Sequence, residues 1–307
     1  MDSLIDVDLN NRSRVWWVSL FLFFTMFLIG MFQELYDMFL TFPKHTSNLA
    51  ARYYMMLVCF ALLLTYFIPF VLFIRYTCRR LDISGHLPLL AFFSGWFIPG
   101  WLAGSLNDRA DRLLKLMISP HFDKVWGDAA EAPIVEETLK VLVVVWLLYI
   151  LGRYLKKDFL VAGMAVGMGF QIGEDFSYIE DRITGSFLQY STAIGYTIDD
   201  RISWSLPSHW MYTALVAVGV YYIFFGRKKE QGAHAVRNGI LLILLALLEH
   251  AYCDSPFPNM LLPDAATDAV MLLAFYVIYV KAVQEQKKLK SITIRERKAR
   301  QNGERVE

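Results

Sequence analysis

Residues 53–74 read YYMMLVCFALLLTYFIPFVLFI, a run without a single Asp, Glu, Lys, Arg or His. At a rise of about 1.5 Å per residue, such a run is long enough to cross a hydrocarbon core of about 30 Å as one helix. A soluble domain breaks its apolar residues into short periodic pieces; a membrane helix does not. Working outward, comparable stretches occur at 15–35, 87–105, 132–151, 159–179, 206–226, 237–255 and 264–283. The reading is an all-α integral membrane protein, a polytopic bundle of about eight transmembrane helices. Pro88, Gly95, Pro99 and Gly100 interrupt the third stretch, which membrane helices tolerate where neighbours satisfy the freed backbone groups.

The chain of 307 residues is 56% hydrophobic and 19% charged, with a net charge of +1. That balance offers nucleic acid no basic face. Cys59, Cys78 and Cys253 lie within or beside apolar segments and suggest no disulfide framework. The stretch at 15–35 lacks a small-residue cleavage site, which argues against a removed signal peptide. Residues 1–284 read as a single transmembrane domain and 285–307 as a charged cytoplasmic tail. Basic residues gather on one side of the spans: Arg75, Arg79 and Arg80; Arg153, Lys156 and Lys157; Arg227, Lys228 and Lys229; and the C-terminal stretch. The asymmetry places both termini in the cytoplasm of a multi-pass protein of the plasma or inner membrane.

Ionisable side chains at membrane depth cost about 2.5–3.5 kcal/mol each on insertion scales, so each one is a functional candidate. The fourth stretch holds Glu136-Glu137-Thr138-Leu139-Lys140, and the fifth ends in Glu174 and Asp175. The sixth opens with Pro207-Ser208-His209, and the seventh carries Glu249, His250 and, four residues on, Asp254. With the N-terminus inside, Glu136 and Glu137 fall near the outer end of their span. Glu174 lies about 22 Å and His250 about 20 Å up from the inner side, and His209 sits one turn below the outer end. Four helices of alternating direction thus bring acids and imidazoles to one level.

Spacing assigns partners. Glu136 and Lys140 are four apart in the order that favours an ion pair, which leaves Glu137 without a partner on its own helix and available as a general base. Asp254, four residues beyond His250, can accept a ring N–H and fix the tautomer. Two imidazoles and a carboxylate suffice for a three-ligand catalytic zinc with an open water position. The H-E-x-x-H signature of soluble zinc proteases is absent. Gly163 with Gly167, and Gly169 with Gly173, are small-xxx-small pairs that permit close helix packing. Residues 109–126 alternate basic and apolar positions and read as an amphipathic helix along the outer surface.

In these residues the sequence resembles the PrsW family of intramembrane proteases, part of a wider group with CAAX prenyl endopeptidases and bacteriocin-processing membrane proteases. The resemblance rests on E-E-x-x-K at 136–140, F-x-x-x-E at 170–174, P-x-H at 207–209 and H-x-x-x-D at 250–254, in order on successive spans. It covers about residues 130–255, the expected catalytic core. It implies a glutamate-dependent endopeptidase in which Glu136, Glu137, Lys140, Glu174, His209, His250 and Asp254 build the site. Zn2+ held by His209, His250 and Glu174 is one arrangement; a metal-free one lets the glutamate and histidines activate water directly. The implied partner is a membrane protein in the bilayer, such as a single-span anti-sigma factor cut near its outer side. Two other classes compete: an ion-coupled transporter, which buried Glu, His and Lys could also serve, and a non-catalytic scaffold. Against the transporter, no internal repeat is visible and the polar residues share one depth.

Overall fold

The computed structural model describes residues 12–41, 49–183, 188–226, 232–257 and 261–301, and every regular element among them is a helix. In chain order they are α1 (Arg14–Tyr36), α2 (Leu49–Leu81), α3 (His86–Phe97), α4 (Pro99–Met117), α5 (Pro120–Leu151), α6 (Lys156–Ile183), α7 (Leu188–Tyr196), α8 (His209–Val220), α9 (Ala233–Cys253) and α10 (Leu261–Gln301). Wider π turns continue α1, α7 and α8.

Five segments are long and apolar enough to cross a membrane: Arg14–Leu40, Leu49–Leu81, His86–Met117, Ala233–Cys253 and Leu262–Ile294. The expectation of about eight is met only in part by that criterion. The stretches at 132–151, 159–179 and 206–226 are helical, but α5 and α6 carry the acids, lysine and glycines that lower their hydropathy. The third, His209–Phe225, is apolar but short. The five long segments turn large apolar side chains outward: Phe21, Leu57, Leu72, Leu248 and Tyr276 are all well exposed. An outer surface this apolar suits lipid rather than water.

α6 is the axis of the bundle. Every residue from Phe159 to Gly173 is buried, so this stretch of α6 has no lipid face. Its glycines explain how it is enclosed. A Cβ at Gly167 would stand 2.3 Å from the carbonyl oxygen of His209 on α8, and one at Gly169 would stand 1.9 Å from that of Phe92 on α3. No side chain fits at either distance, so glycine lets the backbones meet directly. The contact at Gly167 is what sets the start of α8 beside the upper part of α6.

The ends of the helices differ from the sequence reading in two places. Residues 109–126 are not one surface helix: α4 stops at Met117, and Ser119 caps α5 by accepting a hydrogen bond from the Phe122 N–H, with Pro120 as its first residue. α5 therefore starts a dozen residues before its expected span and runs antiparallel to α4. Between the expected fifth and sixth spans, α7 and the π turn Thr197–Ile202 are helical as well. The charged C-terminal stretch from 285 continues the last helix, with α10 reaching Gln301.

Candidate active site

The four helices α5, α6, α8 and α9 each deliver polar side chains to one buried cluster. Counted from Leu151, Lys156, Phe225 and Ala233 at about 1.5 Å per residue, Glu136, Glu174, His209 and His250 all lie roughly 22–27 Å along their helices. Glu136, Glu137, Lys140, His209 and His250 are each at least nine-tenths buried.

Lys140 is the hub. Its Nζ lies 2.6 Å from Glu137 Oε1, 3.4 Å from Glu136 Oε2 and 3.0 Å from His209 Nδ1, and it sits 4.1 Å from the centroid of the Phe170 ring. This corrects the reading that paired Lys140 with Glu136 alone and left Glu137 free. Positions three and four apart are both neighbours on a helix surface. Here His209 and Phe170, from other helices, fix the lysine where the shorter contact goes to Glu137. The second Glu137 oxygen accepts a hydrogen bond from Thr213 Oγ1 at 2.9 Å. Glu136 is held in turn by Asn107 of α4, whose Nδ2 donates to Oε1 at 3.2 Å.

The two imidazoles lie together, ring centroids 4.8 Å apart and nearly perpendicular, with Tyr212 stacked on His250. His209 Nε2 is 2.9 Å from Glu174 Oε2. His250 Nε2 faces both Asp254 Oδ2 at 3.3 Å and Glu136 Oε2 at 3.6 Å, while Nδ1 faces Glu137 Oε1 at 3.5 Å. Asp254 and Glu136 therefore flank the same nitrogen, and the other nitrogen is buried without a hydrogen bond.

Above the cluster, Arg201 on the π turn after α7 reaches down to Glu174 Oε2 at 2.6 Å and to Asp175, whose other oxygen accepts the Tyr66 hydroxyl of α2. Burial opposes the charge on Arg201, but Glu174 and Asp175 outweigh it and hold the guanidinium protonated well above its ordinary range. A cavity of about 280 Å³ opens here, with Glu174, His209, His250 and Asp254 on its floor and Tyr196, Arg201 and Trp204 above.

Glu136, His209 and His250 each offer one ligand atom, and the three atoms lie within 4.8 Å of one another. Donor type and count match a catalytic zinc site. Glu136 Oε2 stands 4.0 Å from His209 Nδ1 and 3.6 Å from His250 Nε2, so small side-chain adjustments bring them onto one ion. These residues fit a metal. The donor set differs from the expected one: Glu136 joins the two histidines, whereas Glu174 is engaged by Arg201 and supports His209 from its outer nitrogen. Lys140 Nζ draws on two of the same donors, so the ammonium and an ion share one electrostatic niche.

Every residue expected at the site is in or against this cluster. Sequence reasoning missed Asn107, Arg201 and the stacked Tyr212. Thr213 carried only the weak signal of its place four residues after His209. Nothing in the sequence marked Arg201 among the charges of its loop.

Buried carboxylates, two imidazoles and a lysine, enclosed by lipid-facing helices, make a membrane-embedded polar site fit for acid–base or metal chemistry. A family model described as PrsW family intramembrane metalloprotease matches residues 85–282, most of the chain, and the protein belongs to that family. By class it is a membrane protease. No curated protein and no solved structure matches the chain.

Proposed function

We propose that the protein is an intramembrane endopeptidase that cuts a single-span membrane protein near its outer face. In this reading it crosses the plasma or inner membrane eight times, α5, α6 and α8 crossing inside the ring of apolar helices. Both termini are cytoplasmic, and an anti-sigma factor is the kind of substrate that fits. The observation that carries the reading is the convergence of Glu137, Glu174, His209 and His250 from four helices at one level. A transporter would string such groups along a path across the membrane.

Glu136, His209 and His250 would hold a zinc ion. When bound, the ion supplies Lewis-acid polarisation of the water and of the scissile carbonyl. Glu137 is the general base: it takes a proton from the attacking water and returns it to the departing amine nitrogen. Thr213 and Lys140 fix one carboxylate oxygen each, which aims Glu137 and limits the reorganisation each turnover needs. Glu174 orients His209 through Nε2, and Arg201 holds Glu174 in place.

Metal analysis of purified protein tests the arrangement. Near-stoichiometric zinc, lost in both His209→Ala and His250→Ala, is the expected result. Folded protein without zinc would move the mechanism to a metal-free form, in which Lys140, 3.0 Å from His209 Nδ1, supplies the positive charge. Failure of the wild-type protein to cut any single-span peptide in a bilayer would leave a scaffold as the better description.

A further inference from the structure

An apolar concavity of about 700 Å³ runs along the side of the bundle between α2, α8 and α10. Phe70 and Phe73 of α2, Trp210 and Met211 of α8, and Phe275 and Tyr276 of α10 form its walls. We propose that this groove receives the transmembrane helix of the substrate and presents that helix's outer end to the cavity at His209. The proposal rests on the protease reading and adds the docking surface for its substrate.

The groove and the catalytic cavity share one wall. Ser205 and Leu206 line the groove's upper end, and just beyond Pro207, Ser208 and His209 line the cavity. The turn between them is held closed, with Trp210 Nε1 donating to the Ser205 carbonyl at 3.2 Å and Ser208 Oγ donating to Gln171 at 2.6 Å. Tyr66, also at the upper end, donates to Asp175, whose other oxygen is held by the same Arg201 that grips Glu174.

Direction matters as much as continuity. From Tyr66 to Tyr76 the groove follows α2 for about 15 Å toward its inner end, roughly two to three helical turns. On α10 the lining residues descend the same way, from Leu272 to Tyr279. The groove therefore lies below the level of His209 and within the depth of the hydrocarbon core. A helix seated in it places its next residues outward at the cavity, where an outer cut would fall. A second apolar cavity, of about 660 Å³ beside α1, α4 and α5, has the same character. Its side chains make no hydrogen bond to the catalytic cavity among the described residues, so it serves as an internal control.

The test uses the full-length Glu137→Gln protein in phosphatidylcholine vesicles. The probe is a synthetic peptide with one Leu/Ala membrane-spanning core and a short polar outer extension. A photo-reactive benzoylphenylalanine is placed at Tyr276 in the groove, at Leu272 as a second groove position, and at Leu142 in the control cavity. Tyr276 and Leu142 are both exposed, so replacement there leaves the packing intact. The expected result is peptide adduct at 276 and 272 in about tenfold excess over 142, the ratio of a 1.4 kcal/mol preference. Equal yields at the three positions would overturn the proposal, as would adducts at 276 and 272 that carry only lipid or a second copy of the chain. The wild-type protein is then given the same peptide. Groove adduct without cleavage counts against the protease reading and leaves the docking surface standing; cleavage without a groove preference does the reverse.

Discussion

α2 and α6 are both long helices, yet they obey opposite rules. α2 is apolar from Tyr53 to Ile74 and turns Tyr54, Leu57 and Leu72 outward. α6 is enclosed from Phe159 to Gly173, built around glycines, and carries Glu174 and Asp175 directly after that stretch. Hydropathy detects the first kind of helix and misses the second, because small residues and acids gather where helices touch one another and not where they touch lipid. The comparison teaches that the outer ring advertises the membrane while the inner helices hold the chemistry.

The contrast can be broken at several points. The largest effect is expected at the chemistry itself. Glu137→Gln keeps the shape and the Thr213 contact but removes the base, and cleavage of a single-span peptide should fall by about 10²–10⁴-fold with folding unchanged. Retention of full activity would sink the assignment of Glu137. Next comes Lys140→Met, which strands two buried carboxylates without their cation. Removing one partner of a buried pair costs about 3–5 kcal/mol, so the variant should unfold at markedly lower temperature in detergent. A stability equal to wild type would show that the cluster does not depend on its ammonium.

A smaller effect separates the inner and outer helices directly. Gly167→Ala forces a methyl against the His209 carbonyl and should cost about 1–3 kcal/mol while displacing His209 and lowering activity. Leu57→Ala on the lipid face of α2 should stay within about 0.5 kcal/mol of wild type. If the two melting curves shift equally, the distinction between ring and axis fails.

Much of this was legible in the sequence because the costly residues are few and each sits at a countable distance along its helix. The level shared by Glu136, Glu174, His209 and His250 followed from helical rise alone, and the four short motifs fell in order on successive spans. What stayed hidden depends on contacts between helices. Whether Lys140 turns to Glu136 or to Glu137 is decided by His209 and Phe170, which no spacing within α5 encodes. Glu136 stands with the two histidines, in the place expected for Glu174, because Arg201 descends from a turn that looked like a plain connector. The early start of α5 was equally obscure, since its first dozen residues pack on α4 and lack the apolar signature of a span.

The burial of α6 from Phe159 to Gly173 has a mechanical consequence. Helices that face lipid tilt or bend when the bilayer is thicker or thinner than their apolar length. That stretch has no such surface, and its fit is set by α3 and α8 through backbone contacts at Gly169 and Gly167. Changes in bilayer thickness therefore act first on the outer ring and reach the carboxylates and imidazoles only through it, so the height of the reactive cluster is set by protein packing before lipid composition.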